Sequence, residues 1–265
     1  MPQAVAITRA VSPALAECEL TYQTRVPIDV AVARAQHHAY EQALTAAGYR
    51  VEHLETDSTM PDSVFVEDMA IVFDELAILT RPGAESRRRE TPAIAAALAA
   101  YRPLHEIQPP ATVDGGDVLV AGRSVYVGRS TRTNEAAATQ IRRLLAPFGY
   151  IVIETDVRGC LHLKSAVTAL GESRLLVNPE WIDTAAFERF TLVSVDPDEP
   201  AAANALRLAD RIVFAQAFPR TVDRLAALGL RVDLVDASEL AKAEGAVTCC
   251  SLIVEMDHHL RQCGA

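Results

Sequence analysis

The stretch Gln42 to Glu55, QALTAAGYRVEHLE, reads as the end of a helix, a glycine stop and a strand. The phrase recurs as RRLLAPFGYIVIETD at Arg142 to Asp156 and as DRLAALGLRVDLVD at Asp223 to Asp236. Gly48, Gly149 and Gly229 stand where a chain leaving a helix turns left-handed, a conformation glycine adopts without a Cβ penalty. Thr91 to Ile107 and Asp183 to Asp196 are looser copies without the glycine. Five helix-to-strand units thus follow one another at spacings of roughly 40 to 55 residues, within the range of structural repeats.

Pairs of short apolar runs joined by turn residues lie between these units and predict hairpins: Met69 to Thr80, Val118 to Gly128, Val167 to Val177 and Leu206 to Ala215. The last strand, within Ser251 to Glu255, has no following partner, while Ala4 to Arg9 is an orphan strand at the start. Pairing the two closes a ring and protects the sheet edges, as in propellers. The expected fold is α/β, a five-bladed pseudo-symmetric propeller of ββαβ units around a central mouth, with residues 1–265 as a single domain.

A polar group precedes the first strand of each hairpin: Glu67 and Asp68, Asp114 and Asp117, His162, Asn204, and Cys249. Under pseudo-fivefold symmetry these positions meet at one mouth. Taken singly, each has a plain structural reading: His162 as a satisfied core histidine, D-G-G-D (Asp114 to Asp117) as a tight turn, Glu67 and Asp68 as a solvated strand end. Cys249 and Cys250 both fit as small buried hydrophobes. If they lie on a regular strand, alternation sends them to opposite faces, one toward the mouth and one into the core. His37, His38, His258 and His259 read as surface residues, and His53 and His105 have no evident partner.

Composition narrows the function. Half of the 265 residues are hydrophobic, enough for a sizeable core, and the formal charge of −10 disfavours nucleic acid while suiting a cationic ligand. No run reaches the roughly 18 apolar residues of a membrane span, and the N-terminus lacks the pattern of a secretory signal, so a soluble, cytoplasmic protein without a membrane partner is expected. Cys18, Cys160, Cys249, Cys250 and Cys263 are odd in number and lack CxxC spacing, which argues for free thiols over a disulfide framework or zinc site.

The motifs SVFVED (Ser63 to Asp68), TRPGAESRR (Thr80 to Arg88), VDGGD (Val113 to Asp117), GRSTRTN (Gly128 to Asn134), HLK (His162 to Lys164) and GAVTCCS (Gly245 to Ser251), in this order, resemble the dimethylarginine dimethylaminohydrolase family. That family belongs to the guanidine-modifying α/β propellers. The resemblance implies Cys249 as nucleophile and His162 as general acid and base. It implies that Glu67, Asp68 and Asp114 hold the guanidinium, Asp114 also counting among the catalytic groups, and that Arg87 and Arg132 hold the substrate carboxylate. Phe65 is implied as a further substrate-binding residue, with Asp62 and Leu20 near the amino end and Leu20 on a mobile lid. Position 114 is Asp where relatives often have Glu, and Ala246 stands where a Gly is frequent.

The implied reaction converts methylated arginine to citrulline and a methylamine through a covalent thiouronium. It needs no metal or organic cofactor; the expected partner is the small-molecule substrate, and the protein is a monomer or homodimer. An arginine deiminase-type hydrolase, an amidinotransferase and a non-catalytic binding propeller remain alternatives. Against the deiminase, there is no helical block beyond the five units.

Overall fold

In the computed structural model, which describes residues 4–255 apart from residue 172, all three glycine stops have positive φ: +94° at Gly48, +74° at Gly149 and +75° at Gly229. The first unit is β1 (Val5–Arg9), α1 (Val30–Ala46) and β2 (Arg50–Leu54). The second is β3 (Ala70–Val72), β4 (Ala77–Leu79), α2 (Thr91–Leu98) and β5 (Leu104–Glu106). The third is β6 (Val118–Ala121), β7 (Ser124–Arg129), α3 (Glu135–Leu145) and β8 (Ile151–Asp156). The fourth contains α4 (Leu163–Ala166), β9 (Val167–Ala169), β10 (Arg174–Val177) and β11 (Thr191–Ser194). The fifth is β12 (Ala205–Leu208), β13 (Arg211–Ala215), α5 (Pro219–Ala227) and β14 (Arg231–Val235); α6 (Ser238–Ala241) and β15 (Leu252–Val254) follow.

The strands form five three-stranded sheets. In each, an antiparallel pair is extended by a parallel third strand: β3-β4-β5, β6-β7-β8, β9-β10-β11, β12-β13-β14 and β15-β1-β2. The chain is therefore a five-bladed α/β propeller, closed as expected by its first and last strands, with Val5 opposite Val254 and Ile7 opposite Leu252. One helix differs from expectation. Asp183 to Asp196 carries no α-helix before β11, only a single 3₁₀ turn at Thr184–Phe187 begun by Asp183, whose carboxylate accepts the Ala185 N–H at 3.0 Å. Between that cap and β11 there are too few residues for the two turns that an α-helix needs to bury a stripe.

Packing follows the alternation of the strands and the stripes of the helices. The side chain of Asp29 caps α1, accepting from the N–H groups of Ala31 and Val32, and Ala33, Gln36, His37, Tyr40 and Leu44 form its inward face. His37, expected at the surface, is therefore buried, while His38 faces water. His53 has a partner after all: its Nδ1 lies 2.7 Å from Glu41 Oε1. In β1, Ala6 joins the cluster beneath α1, whereas Val5 and Ile7 join that of the neighbouring blade with Leu79, Ile94 and Leu98. The closing strand thus welds two blades. Residues of β3, β6, β9, β12 and β15 surround an axial cavity of about 310 Å³.

Ile7 is fully buried at this weld. Ile7→Ala should lower unfolding free energy by about 2 to 5 kcal/mol, read as an earlier urea midpoint with an unchanged slope; a loss below about 1 kcal/mol would show that closure by β1 matters little.

Candidate active site

The turns that lead into the first strands gather on one side of the axis. Val66–Met69 and Gly115–Asp117 are single 3₁₀ turns entering β3 and β6, and His162 is the N-cap of α4, which enters β9. The two glycines of D-G-G-D are needed for close approach. A Cβ on Gly115 would fall 2.0 Å from the Glu67 carbonyl oxygen, and one on Gly116 would fall 2.6 Å from His162 Nδ1. The turn reading of this motif is correct and incomplete, because the bare backbone also makes room for the imidazole. Asp117 fixes the same region from below: Oδ1 accepts the Leu163 N–H at 2.9 Å and Oδ2 accepts the hydroxyls of Ser130 and Thr133.

One cleft collects eight of the ten expected site residues: Cys249, His162, Asp114, Asp68, Asp62, Phe65, Arg87 and Arg132. Glu67 and Leu20 are not among its lining. Glu67 turns into the axial cavity, where Oε1 meets Lys164 Nζ at 2.7 Å and Oε2 accepts the Thr248 hydroxyl at 2.8 Å. Leu20 packs partly buried against the apolar cluster under α1, and its neighbour Glu19 lines the cleft instead.

The cysteines sit differently from the expectation. Residues 247–250 form turns and the strand begins only at Leu252, so alternation along a strand does not separate the two side chains. The turn does so: the Cys249 N–H donates to the Ala246 carbonyl at 3.1 Å, Cys249 lines the cleft, and Cys250 is 1% exposed in the core. Burial, with the carboxylates of Glu67 and Asp68 adding to it, pushes the Cys249 thiol well above its ordinary pKa. Cys18, Cys160, Cys249 and Cys250 are all free thiols. Cys263, His258 and His259 lie outside the described residues.

His162 is 5% exposed, with Nε2 3.1 Å from Asp114 Oδ2 and Nδ1 3.8 Å from Asp68 Oδ1. Burial alone would lower its pKa, but Asp68, Asp114 and Asp117 outweigh burial and raise it to about 9. Asp114 is committed on both oxygens, since Oδ1 accepts the Gly83 N–H at 2.9 Å. Arg87 is likewise occupied: it donates to Asp68 Oδ2 at 2.5 Å, to both oxygens of Glu90, and to the carbonyls of Asp62 and Phe65. Arg132 is partly exposed and its guanidinium donates through Nη2 to the Thr21 hydroxyl at 3.1 Å. Burial raises Asp62 to about 6, and its carboxylate accepts the Glu19 N–H.

The segment after β1 is held over the cleft. Glu244 accepts the backbone N–H groups of Thr21, Tyr22 and Gln23, at 3.0, 2.6 and 2.6 Å. Its own backbone has φ +58°, a left-handed conformation uncommon for a residue with a Cβ. Sequence reasoning missed Glu244; the only signal was its place before the glycine of the cysteine motif.

Compared with known proteins, a sequence model of the family described as "N,N dimethylarginine dimethylhydrolase, eukaryotic" matches residues 19–198. A Streptomyces coelicolor protein named N(G),N(G)-dimethylarginine dimethylaminohydrolase is 41% identical over 254 residues, 95% of this chain and 97% of its own length. The chain belongs to the dimethylarginine dimethylaminohydrolase family. The solved Pseudomonas aeruginosa member, a cysteine-to-serine mutant complexed with citrulline, is similar with a TM-score of 0.91 and 34% identity, covering 96% of this chain and 100% of that one. A dimethylarginine dimethylaminohydrolase structure carrying an adduct with S-methyl-L-thiocitrulline gives a TM-score of 0.90 and 35% identity over 95% of this chain and 99% of that one. Among the described residues of this family member, no helix is long and apolar enough to cross a membrane.

Asp68, Asp114 and His162 present ligand atoms within 4.8 Å of one another, close enough to hold a metal ion. The Arg87 cation on Asp68 and the Gly83 N–H on Asp114 already occupy that field, which makes the triplet a poor cradle for a dication.

The His162 pKa carries a pH signature. A histidine raised from 6.5 to about 9 contributes stability that is complete below about pH 6.5 and is lost as pH rises through about 9. The stability gap between wild type and His162→Gln should therefore shrink across that window, by at most about 3.5 kcal/mol at about 1.4 kcal/mol per pKa unit. Urea melts at both ends measure it, and a gap that widens toward high pH would contradict the assigned charge.

Proposed function

We propose that this chain hydrolyses arginine methylated on its guanidino group, asymmetric dimethylarginine above all, to citrulline and a methylamine. The observation that carries the reading is the meeting of Cys249, His162, Asp68 and Arg132 in one cleft of a dimethylarginine dimethylaminohydrolase family member. In the proposed mechanism Asp68 and the surrounding carboxylate field receive the planar guanidinium and present its central carbon to Cys249. The same cation opposes the field that keeps the thiol protonated, so substrate arrival favours loss of the thiol proton to solvent and formation of the thiolate, the form that attacks.

Attack forms the S–C bond, and collapse expels dimethylamine with a proton from His162, which the elevated pKa keeps protonated at neutral pH. The neutral imidazole then removes a proton from water, whose oxygen adds to the thiouronium carbon. Collapse expels the Cys249 sulfur, which takes up the remaining hydroxyl proton to return as the thiol; the urea of citrulline is left, and His162 ends protonated as it began. No step calls on a metal or organic cofactor.

The contacts suggest revised roles for three residues. Asp114, bonded to His162, orients the imidazole; Glu67, whose N–H donates to the Cys249 carbonyl at 3.1 Å, shapes the nucleophile's backbone. Arg87 acts as the buried counter-ion that aims Asp68, leaving Arg132 to hold the substrate carboxylate and Asp62 its amine. Phe65 supplies an apolar wall, and Leu20 acts indirectly, by packing the held segment. The cleft contains about 20 Å³ of free volume, room for about one water, so segment 19–23 must lift for substrate to enter. We take residues 1–265 as one catalytic domain, a cytoplasmic monomer or homodimer.

The test is the amine released. Purified protein should turn over asymmetric dimethylarginine with kcat/KM at least about tenfold above arginine; burying two methyl groups at about 0.8 kcal/mol each reaches that ratio only when both are fully buried. Arg132→Ala should lose about 10- to 100-fold on the free amino acid, matching a charge-assisted bond of about 1.5 to 3 kcal/mol, and far less on a guanidine without a carboxylate. Faster ammonia release from arginine would move the chain to the deiminase reading, and equal losses on both substrates would remove Arg132 from the carboxylate.

A further inference from the structure

Asn204, the polar residue before β12, has no part in the mechanism above, yet it is 6% exposed and fully hydrogen-bonded. Its Oδ1 accepts the Thr248 N–H at 3.0 Å. Its Nδ2 donates to the Thr248 hydroxyl at 2.9 Å and to the Lys164 carbonyl at 3.0 Å. One amide therefore grips both the residue before Cys249 and the short helix that His162 caps. The hydroxyl of Thr248 donates its own proton to Glu67 Oε2, and the Glu67 N–H holds the Cys249 carbonyl, so the Thr248-Cys249 dipeptide is pinned at both ends.

We infer that Asn204 is a positioning residue that sets Cys249 against His162, by tying the nucleophile's turn to the helix of the acid; the inference rests on the roles proposed for those two residues. The turn needs such a tie because the cysteines precede β15 and receive no ladder hydrogen bonds. Asparagine suits this position because it offers an acceptor to a backbone N–H and two donors to a carbonyl and a hydroxyl at once, which neither aspartate nor serine can do.

The test compares Asn204→Ala with Thr168→Val. Thr168 holds the same segment from the other side, donating to the Ala203 carbonyl and accepting the Ala205 N–H, so its hydroxyl is spent on that segment and not on either catalytic turn. Asn204→Ala should lower kcat on asymmetric dimethylarginine by roughly 30- to 100-fold, as expected for a displaced reacting atom, with KM within about threefold. Without substrate, its Cys249 should react with iodoacetamide at least about fivefold faster, because a freed thiol is better solvated and more ionised. Mass spectrometry should find the rates at Cys18, Cys160 and Cys250 unchanged. Thr168→Val should leave both readouts within about twofold of wild type.

Should Asn204→Ala not fold, Thr248→Val, which breaks the link to Glu67, replaces it, with Thr248→Ser as the restoring variant. Faster alkylation at Cys18, Cys160 and Cys250 together with Cys249, equal effects from Thr168→Val, or no change at Cys249 would each overturn the inference. Absence of amine release by the wild type would count against the proposed function, and the alkylation comparison, which needs no turnover, would still decide the role of Asn204.

Discussion

The antiparallel pairing of β1 with β15 is the constraint on which the site depends. Each blade alone is a three-stranded sheet with a polar turn at the start of its inner strand, and nothing within a blade brings two such turns together. Closure does. With Val5 opposite Val254 and Ile7 opposite Leu252, the last strand is held beside β3 of the next blade, and the turn that carries Cys249 lies against the turn that carries Glu67. A sheet edge is protected in the same step, so the interaction that assembles the chemistry also removes a site of aggregation.

Closure has an electrostatic cost, because it draws charged groups into a dry region. The structure meets that cost by pairing. Arg87 sits between Asp68 and Glu90, and Asp68 and Asp114 flank His162. Arg9, fully buried on the closing strand, is the exception: Nη2 donates to the Glu90 carbonyl, while Nε and Nη1 have no hydrogen-bond partner among the described residues. Removing one member of such a chain leaves its partner uncompensated, which is why buried pairs are costly to break even where they add little net stability. The same chain tunes the site: Asp68, which helps to raise the His162 pKa, also adds to the burial that raises the Cys249 thiol, so the proposed acid is held protonated and the proposed nucleophile awaits a cation.

Much of this was legible in the sequence wherever a local physical rule leaves a mark. A left-handed residue after a helix favours glycine, so Gly48, Gly149 and Gly229 mark three units, while close approach to the Glu67 carbonyl and to the His162 imidazole left Gly115 and Gly116 in D-G-G-D. The failures have equally local causes. Glu67 and Asp68 read as one feature, but adjacent residues of a 3₁₀ turn point to different sides, one to the axial cavity and one to the cleft. Arg87, assigned to the substrate carboxylate by resemblance alone, is occupied by Asp68 and by Glu90 of its own charged run, a pairing only the fold decides. The segment Asp183 to Asp196 shared enough pattern with its counterparts to be read as helical, although it had room for just one turn. The separation of Cys249 from Cys250 was correctly expected for a wrong reason, since a turn performs what alternation along a strand was expected to do.

The central claim is that Cys249 is the group which the closed ring places against the guanidinium carbon. Acid-quenching the wild-type enzyme during turnover of asymmetric dimethylarginine, followed by peptide mass spectrometry, tests it most directly. A thiouronium adduct confined to Cys249 and absent from Cys249→Ser is the predicted result. An adduct on Cys250, or steady turnover by Cys249→Ser, would contradict it.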